Sequence, residues 1–290
     1  MATELKVLVI DVGGTHIKAL ISGMKTPVKI DSGPSFTALD MVRDVKAALK
    51  NRAYDAVSIG YPGPVVHGHP IREPYNLGGG WVGFNFRKAF GQPVKLINDA
   101  AMQALGSYEG GRMLFLGLGT GLGSAMIVDG VLQPMELAHL PYQHGKTYED
   151  YLGLRGLDQL GRKKWERKVH KVVDELRAAL SPEYVILGGG NAKKLKELPD
   201  KARLGSNENA YKGGFRMWAK VGLTKVGLTK VGLTKEKLAE TKPPQEKPSQ
   251  EKLKKSSPRQ DGSRRQDGLR QPPSAAASAS ASAGPHVPGS

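Results

Sequence analysis

Three glycine-rich stretches and two acid-bearing ones hold the residue types that could do chemistry in this 290-residue chain. Asp11-Val12-Gly13-Gly14-Thr15 ends one apolar run, Gly117 to Ser124 reads Gly-Leu-Gly-Thr-Gly-Leu-Gly-Ser, and Gly188-Gly189-Gly190 ends another apolar run. Residues without a Cβ let backbone N–H groups approach an anion, and the hydroxyls of Thr15 and Thr120 stand beside them. Asp11 is the odd member, because a carboxylate next to phosphate repels it unless Mg²⁺ or water lies between. The first stretch therefore reads as a nucleotide-phosphate site with Asp11 on the metal; the competing reading is a plain structural hairpin. In the second loop Gly119, Thr120 and Gly121 are the phosphate candidates. It is no Walker loop, since G-x4-GK-[ST] does not occur, and no dinucleotide fingerprint, since Ser124 stands in the last glycine position and a strand follows.

Asn98-Asp99 closes the apolar run 94–97. Phosphoryl transfer to an alcohol needs a carboxylate that accepts the hydroxyl proton as the bond forms, and Asp99 can fill that role. An ordinary helix cap is the alternative, since Asn and Asp are favoured there. Glu136 and His139, three apart, would share one helical face and could hold sugar hydroxyls; a surface pair is the bland reading. Their spacing is not that of a zinc helix, and the chain has no Cys, so no zinc is expected. His16, His67, His69 and His144 have no comparable partners.

These residues need a framework. The pattern over 7–18 predicts a β-hairpin whose two-residue Gly13-Gly14 turn uses positive φ. A third strand is expected at 28–30, and a helix at 37–50 with Leu39, Val42, Val45 and Leu49 on one face. A buried strand at 56–60 runs into Pro62-Gly63-Pro64. The stretch 65–83, rich in Gly, Pro and His, suits a binding loop in which Asn76 and Trp81 stand out. A strand at 94–97, a helix at 100–108, strands at 113–118 and 125–128, helices at 147–160 and 164–180, and a strand at 184–187 complete the pattern. Alternating strands and helices behind a hairpin imply an α/β fold with mixed sheets.

The net charge is +16, and residues 219–290 carry 14 Lys and Arg against 6 Asp and Glu, half of the excess. That region repeats Val-Gly-Leu-Thr-Lys three times from Val221, a period of five that suits neither helix nor strand, and continues as a Pro/Gln/Lys/Ser tract. It is expected to be a disordered basic tail. No segment is long and apolar enough for a membrane span, and the opening lacks a signal-peptide pattern, so a cytoplasmic protein is expected.

Together these motifs resemble the ROK family of sugar kinases and sugar-responsive repressors. Asp11 to Thr15 with Lys18 is similar to its first phosphate motif, Gly117 to Gly123 to its second, and Asn98-Asp99 to the pair whose Asp is the catalytic base. Pro62-Gly63-Pro64, Asn76-Leu77 with Trp81, and the adenosine-side glycines Gly188, Gly189 and Gly190 extend the match over about 5–218. Two departures matter. Met135-Glu136-Leu137-Ala138-His139 keeps the polar pair of the family's Gly-Glu-x-Gly-His segment without its glycines, and the cysteine-rich zinc motif is absent, as in the branch containing polyphosphate glucokinases.

The resemblance implies a two-lobed actin-like ATPase (ribonuclease H-like) fold: an N-terminal lobe over 1–100, a C-terminal lobe over 101–218 and the tail over 219–290. It implies Mg²⁺-assisted phosphoryl transfer from ATP or polyphosphate to the 6-hydroxyl of glucose. Asp99 would be the base, Asn76, Asn98, Glu136 and His139 would orient the sugar, and Glu149 would add a contact. A homodimer is the expected assembly. Repressor members carry a helix-turn-helix before the hairpin, where about six residues stand here, so no DNA-binding domain is expected. A kinase for another hexose or an N-acyl amino sugar, and a non-catalytic sugar-sensing or polyanion-binding protein, remain as alternatives.

Overall fold

The apolar run after Lys6 forms β1 (Val7–Val12), buried at every residue but Asp11, and the chain turns back into β2 (His16–Ile21) and β3 (Val28–Asp31) as an antiparallel meander. A computed structural model of the protein describes residues 5–50, 52–206 and 208–219; the repetitive tail beyond Ala219 lies outside the described residues. Helix α1 (Ala38–Ala48) starts in a capping box between Thr37 and Asp40 and leads to β4 (Ala56–Tyr61), parallel to β1. A small hairpin of β5 (Val65–Val66) and β6 (His69–Pro70) and the short helix α2 (Phe86–Phe90) precede β7 (Val94–Asn98), parallel to β4. Helix α3 (Asp99–Ser107) begins where β7 stops.

A second meander follows, of β8 (Arg112–Leu118), β9 (Leu122–Val128) and β10 (Val131–Met135). After a 3₁₀ turn at Leu137–His139 come helices α4 (Tyr148–Leu152), α5 (Leu154–Leu160) and α6 (Arg162–Leu180), then β11 (Tyr184–Gly188), a 3₁₀ turn at Ala192–Lys194, β12 (Ala202–Leu204) and α7 (Asn209–Arg216). The sheet orders are β3-β2-β1-β4-β7 and β10-β9-β8-β11-β12, so each is a meander continued by two parallel strands. This duplication puts the two glycine loops at equivalent places, the tip of the first hairpin of each sheet.

Helix α3 lies between the sheets. Ala100, Ala101, Ala104 and Leu105 pack on Met113, Phe115, Ala125 and Ile127, while Met102 packs with Val7, Val9 and Ala56 and with Ala210 and Tyr211 of α7. The backbones of α3 and α7 touch: a Cβ on Gly106 would overlap the Asn209 carbonyl, and one on Gly213 the Met102 carbonyl. The other sheet faces are covered by α1 with Trp81 and by α4, α5 and α6 with Trp165. No helix among the described residues is long and apolar enough to cross a membrane.

Three expectations change. Leu39 is exposed, and Met41 takes its place on the buried face of α1 beside Ala38, Val42 and Val45. The helix expected over 147–160 is two helices broken at Gly153, whose ψ is −178°. A Cβ there would lie 2.8 Å from the Thr120 carbonyl oxygen, so the break lets α5 dock its first N–H, that of Leu154, on the second glycine loop. Trp81 is wholly buried against Tyr61 and Phe86, at ring-centroid distances of 5.7 and 6.3 Å. It anchors the 65–83 loop from below.

Candidate active site

Asp11 sits near the carboxyl end of the central strand of the first sheet, with Lys18 directly opposite on β2 and Gly60 opposite on β4. Paired residues point to the same face of a sheet, so Lys18 faces the Asp11 carboxylate. Gly60 has no side chain, and its place is taken by Met102 and by Cα of Asp99, 3.4 Å from where a Cβ would stand. The absence of one side chain thus brings Asp99, the first residue of α3, beside Asp11.

Asn98 is the N-cap of α3: its Oδ1 accepts the Ala101 N–H (3.1 Å) and its Nδ2 donates to the Gly63 carbonyl (3.1 Å). The cap reading therefore holds for Asn98, which keeps one N–H and one lone pair for a ligand. Asp99 accepts the Ala100 N–H (2.8 Å). Burial, then repulsion from Asp11 and Glu136, pushes its carboxyl up to about 7 against the pull of that N–H and of its own backbone N–H. Burial also raises Asp11, with Lys18 pulling the other way.

The first glycine loop departs from its expected geometry. Neither Gly13 nor Gly14 has a left-handed φ. Their lack of side chains serves close approach instead: a Cβ on Gly13 would lie 2.7 Å from the His16 carbonyl oxygen, and one on Gly14 would lie 2.7 Å from Cβ of Asn76. Gly14 therefore lets the 65–83 loop close on the phosphate loop. The Gly13 N–H donates to His16 O (3.1 Å), and the Thr15 hydroxyl lies 3.1 Å from Nδ1 of His16. Among the described residues, the N–H groups of Gly14, Thr15, Thr120 and Gly121 have no acceptor and remain available to an anion.

The second and third glycine loops are locked together. The Gly119 carbonyl accepts Asn191 Nδ2 (2.9 Å) and the Leu154 N–H (3.1 Å), while Gly189, at φ +81°, fits against the backbone of Leu118. Glu149 Oε2 accepts the Leu122 N–H (3.1 Å) and packs on Gly121, so this carboxylate braces the loop. A Cβ on Gly123 would lie 2.7 Å from Cβ of Ala100, which seats the second hairpin on the start of α3. Asp99 thus lies between the two glycine-loop tips.

Glu136 and His139 form a loose pair, Oε2 to Nε2 4.0 Å, with both side chains at least half exposed. Burial raises the Glu136 carboxyl; His139 and Arg72 pull it down and Glu149 pushes it up. Glu136, Glu149 and Arg72 therefore share one electrostatic neighbourhood, and Glu136 also reaches Asp99. Arg72 was not singled out from the sequence, although it is the lone cation of the 65–83 loop other than its histidines. Its backbone carbonyl accepts Tyr61 Oη (2.7 Å), and the next residue, Glu73, accepts the N–H groups of Trp81 and Val82 (3.0 and 3.2 Å).

Tyr211 also escaped sequence reasoning. Gly214 of α7 presses on Val9, two residues before Asp11 on the same face of β1, and Tyr211 lies one helical turn before Gly214. Its hydroxyl is buried without a partner among the described residues, and burial together with the Asp11 charge raises its pKa. Asp11 itself accepts no side-chain hydrogen bond, and no three His, Cys, Asp or Glu converge among the described residues. One or two carboxylates without a full protein cage fit Mg²⁺, which takes its remaining ligands from water and phosphate.

The sequence pattern of the ROK family matches residues 7–134. The chain is 30% identical over 207 residues to a protein of Mycobacterium tuberculosis named polyphosphate glucokinase, covering 64% of this chain and 77% of that protein. Its fold is similar to that of an inorganic polyphosphate/ATP-glucomannokinase from Arthrobacter sp. strain KM, at TM-score 0.60, 24% identity and coverage of 72% of this chain and 96% of the other. It is also similar to a glucokinase from Streptomyces griseus, solved with glucose and AMPPNP, at TM-score 0.58, 16% identity and coverage of 72% and 97%.

Proposed function

The chain belongs to the ROK family and is a hexose kinase, and on that premise we propose that it transfers a phosphoryl group from polyphosphate or ATP to the 6-hydroxyl of glucose, with Asp99 as general base. The observation that carries this reading is the place of Asp99, a carboxyl raised to about 7 at the start of α3, between the two glycine-loop tips. A base whose pKa lies near the working pH combines a useful fraction of carboxylate with enough basicity to take a proton.

The sugar would lie between Asn76, Asn98, Glu136, His139 and Glu149, with its 6-hydroxyl toward Asp99. Asp99 accepts that proton as the oxygen attacks phosphorus. The free N–H groups of Gly14, Thr15, Thr120 and Gly121, with Lys18, hold the donor phosphates and the charge that builds on them. Mg²⁺ held on the Asp11 side would neutralise donor charge. Gly189 braces the far end of the donor site through Leu118, and Gly188 packs on Phe115. The polyphosphate glucokinase relatives support polyphosphate as a donor, and the adenosine-side glycines support ATP.

A coupled assay of glucose phosphorylation with ATP and polyphosphate in turn tests the reading; no turnover with either donor would overturn it. The pH profile adds a second check. Burial, helped by Asp11 on β1 and Glu136 after β10, holds the Asp99 proton on, whereas the Ala100 N–H favours its loss. The base is active only when deprotonated, so kcat/KM for glucose is expected to fall about tenfold per pH unit below about 7 and to level off above it. A flat profile between pH 5 and pH 8 would remove Asp99 from the role.

A further inference from the structure

The outward stripe of α6 carries cations that the reaction described above leaves unused. Arg162, Lys163, Arg167 and His170 line a groove of about 650 Å³ together with Glu166, Lys196 and Glu197. They recur along one flank of the helix, beside the core stripe of Trp165, Val169, Val172, Val173 and Leu176. Glu166 is spent inside the protein: its Oε1 accepts the N–H groups of Lys196 (2.6 Å) and Glu197 (2.9 Å), and His170 Nε2 lies 3.1 Å from the Glu197 carbonyl oxygen. These bonds fasten the segment after the third glycine loop to α6 and fix the groove. Arg162, Lys163, Arg167 and Lys196 have no carboxylate within ion-pairing distance among the described residues. Arg162 also acts on the Glu166 carboxylate, but the four cations outnumber Glu166 and Glu197 on the groove, so its net field favours a polyanion.

Two tracks of chain lead from the glycine loops to this groove. Helix α5 starts with the Leu154 N–H on the carbonyls of Gly119 and Thr120, spans seven residues and ends one residue before α6. At 1.5 Å per residue that is about 10 Å. From Gly188-Gly189-Gly190, Asn191 ties back to Gly119, and the turn Ala192–Lys194 continues to Lys196.

We propose that the α6 groove binds the distal phosphates of an inorganic polyphosphate donor whose reacting end lies in the glycine loops. The proposal rests on the reading of those loops as the donor site. The chemistry selects this ligand. A polyphosphate carries charge on every repeat and can keep meeting cations along the second track, at the exposed Lys193 and Lys194 before Lys196, whereas a nucleoside triphosphate has only uncharged sugar and base beyond its three phosphates. No Phe, Tyr or Trp lines the groove, and the His170 ring is tied to the Glu197 carbonyl, so it offers a poor platform for stacking nucleic-acid bases.

The test is the double variant Lys163→Glu/Arg167→Glu in the full chain. Both side chains are exposed, and an unchanged Tm checks the fold. Each lost phosphate contact releases fewer counterions, so KM for long-chain polyphosphate is expected to rise about tenfold or more, with a salt dependence shallower by about two in log–log slope. Its kcat should hold, and KM for tripolyphosphate and for MgATP should stay within about twofold, since neither chain extends to the groove. An unchanged KM for long-chain polyphosphate would overturn the proposal, as would an equal loss with all three donors. Phosphorylation from ATP but never from polyphosphate would overturn it and leave the kinase reading intact. No phosphorylation from any donor would sink both. Titration with labelled polyphosphate and with a single-stranded oligonucleotide gives the remaining arm: weaker polyphosphate binding by the variant supports the groove, and a selective loss of oligonucleotide binding overturns it.

Discussion

Replacing Asp99 with Asn is expected to lower kcat for hexose phosphorylation by about 10²- to 10⁴-fold, the range for loss of a positioned general base, while KM for glucose changes little. The same substitution is expected to stabilise the protein. Asparagine can still accept the Ala100 N–H through Oδ1, and it removes a buried charge that Asp11 and Glu136 oppose. Asp99 has a raised folded pKa, so the unfolded chain loses this proton first as pH rises from about 4, and stability declines until about pH 7. Above that window the carboxylate costs stability, and below about pH 4 it costs none. At 1.36 kcal/mol per pH unit, a rise from 3.8 to about 7 sets an upper limit of about 4 kcal/mol, and partial solvation of the cleft brings the expected gain to about 1–3 kcal/mol. Thermal melts of the two proteins at pH 8 and pH 4 check this: a higher Tm for the variant at pH 8 that vanishes at pH 4. A variant less stable at pH 8 would show that Asp99 is not held against its charge.

The second large effect lies away from the polar groups. Gly213→Ala should cost at least about 3 kcal/mol, because the new methyl overlaps the Met102 carbonyl and two helix backbones must separate. Helix propensity pulls the other way, with alanine favoured over glycine by about 1 kcal/mol, and the clash outweighs it. Activity should fall too, since Met102 lies one turn from Asp99 and a shift of about 1 Å in a catalytic group can cost about 10²-fold. Gly33→Ala is the control, because a Cβ there meets nothing within 4 Å and φ is not left-handed. Its Tm should match the wild type or rise slightly. Equal melting curves for Gly213→Ala and the wild type would mean that the α3 and α7 contact is looser than it stands here.

Much of the framework is legible in the residues because its signals are local. The Val7–Val12 run, the Asn98-Asp99 strand end and the α6 stripe each declare an element from period and composition alone. The duplication of the two sheets is not legible, since it lies in strand order and the two halves share no obvious repeat of side chains. Gly13 and Gly14 show why a correct signal can carry the wrong cause. Their need for a missing side chain comes from His16 and from Asn76, and the latter lies 62 residues away, beyond any local pattern. Leu39 was misplaced because a stripe of apolar residues does not reveal which edge of it the sheet covers. Arg72 and Tyr211 join the neighbourhood of the acids only through the folding of a loop and the return of α7, and neither has a partner close in sequence.

That return of α7 has a consequence for how the protein is made. The strand bearing Asp11 is synthesised well before its cover, since the face holding Val7 and Val9 packs against Ala210 and Tyr211, about two hundred residues later. At roughly 5–20 residues per second, translation leaves that face waiting on the order of 10–40 s for its cover. During that interval the growing chain shows an apolar strand to chaperones and to its neighbours. Clamping of α3 by this later helix therefore keeps the Asp99 carboxylate from its final place until α7 has been made.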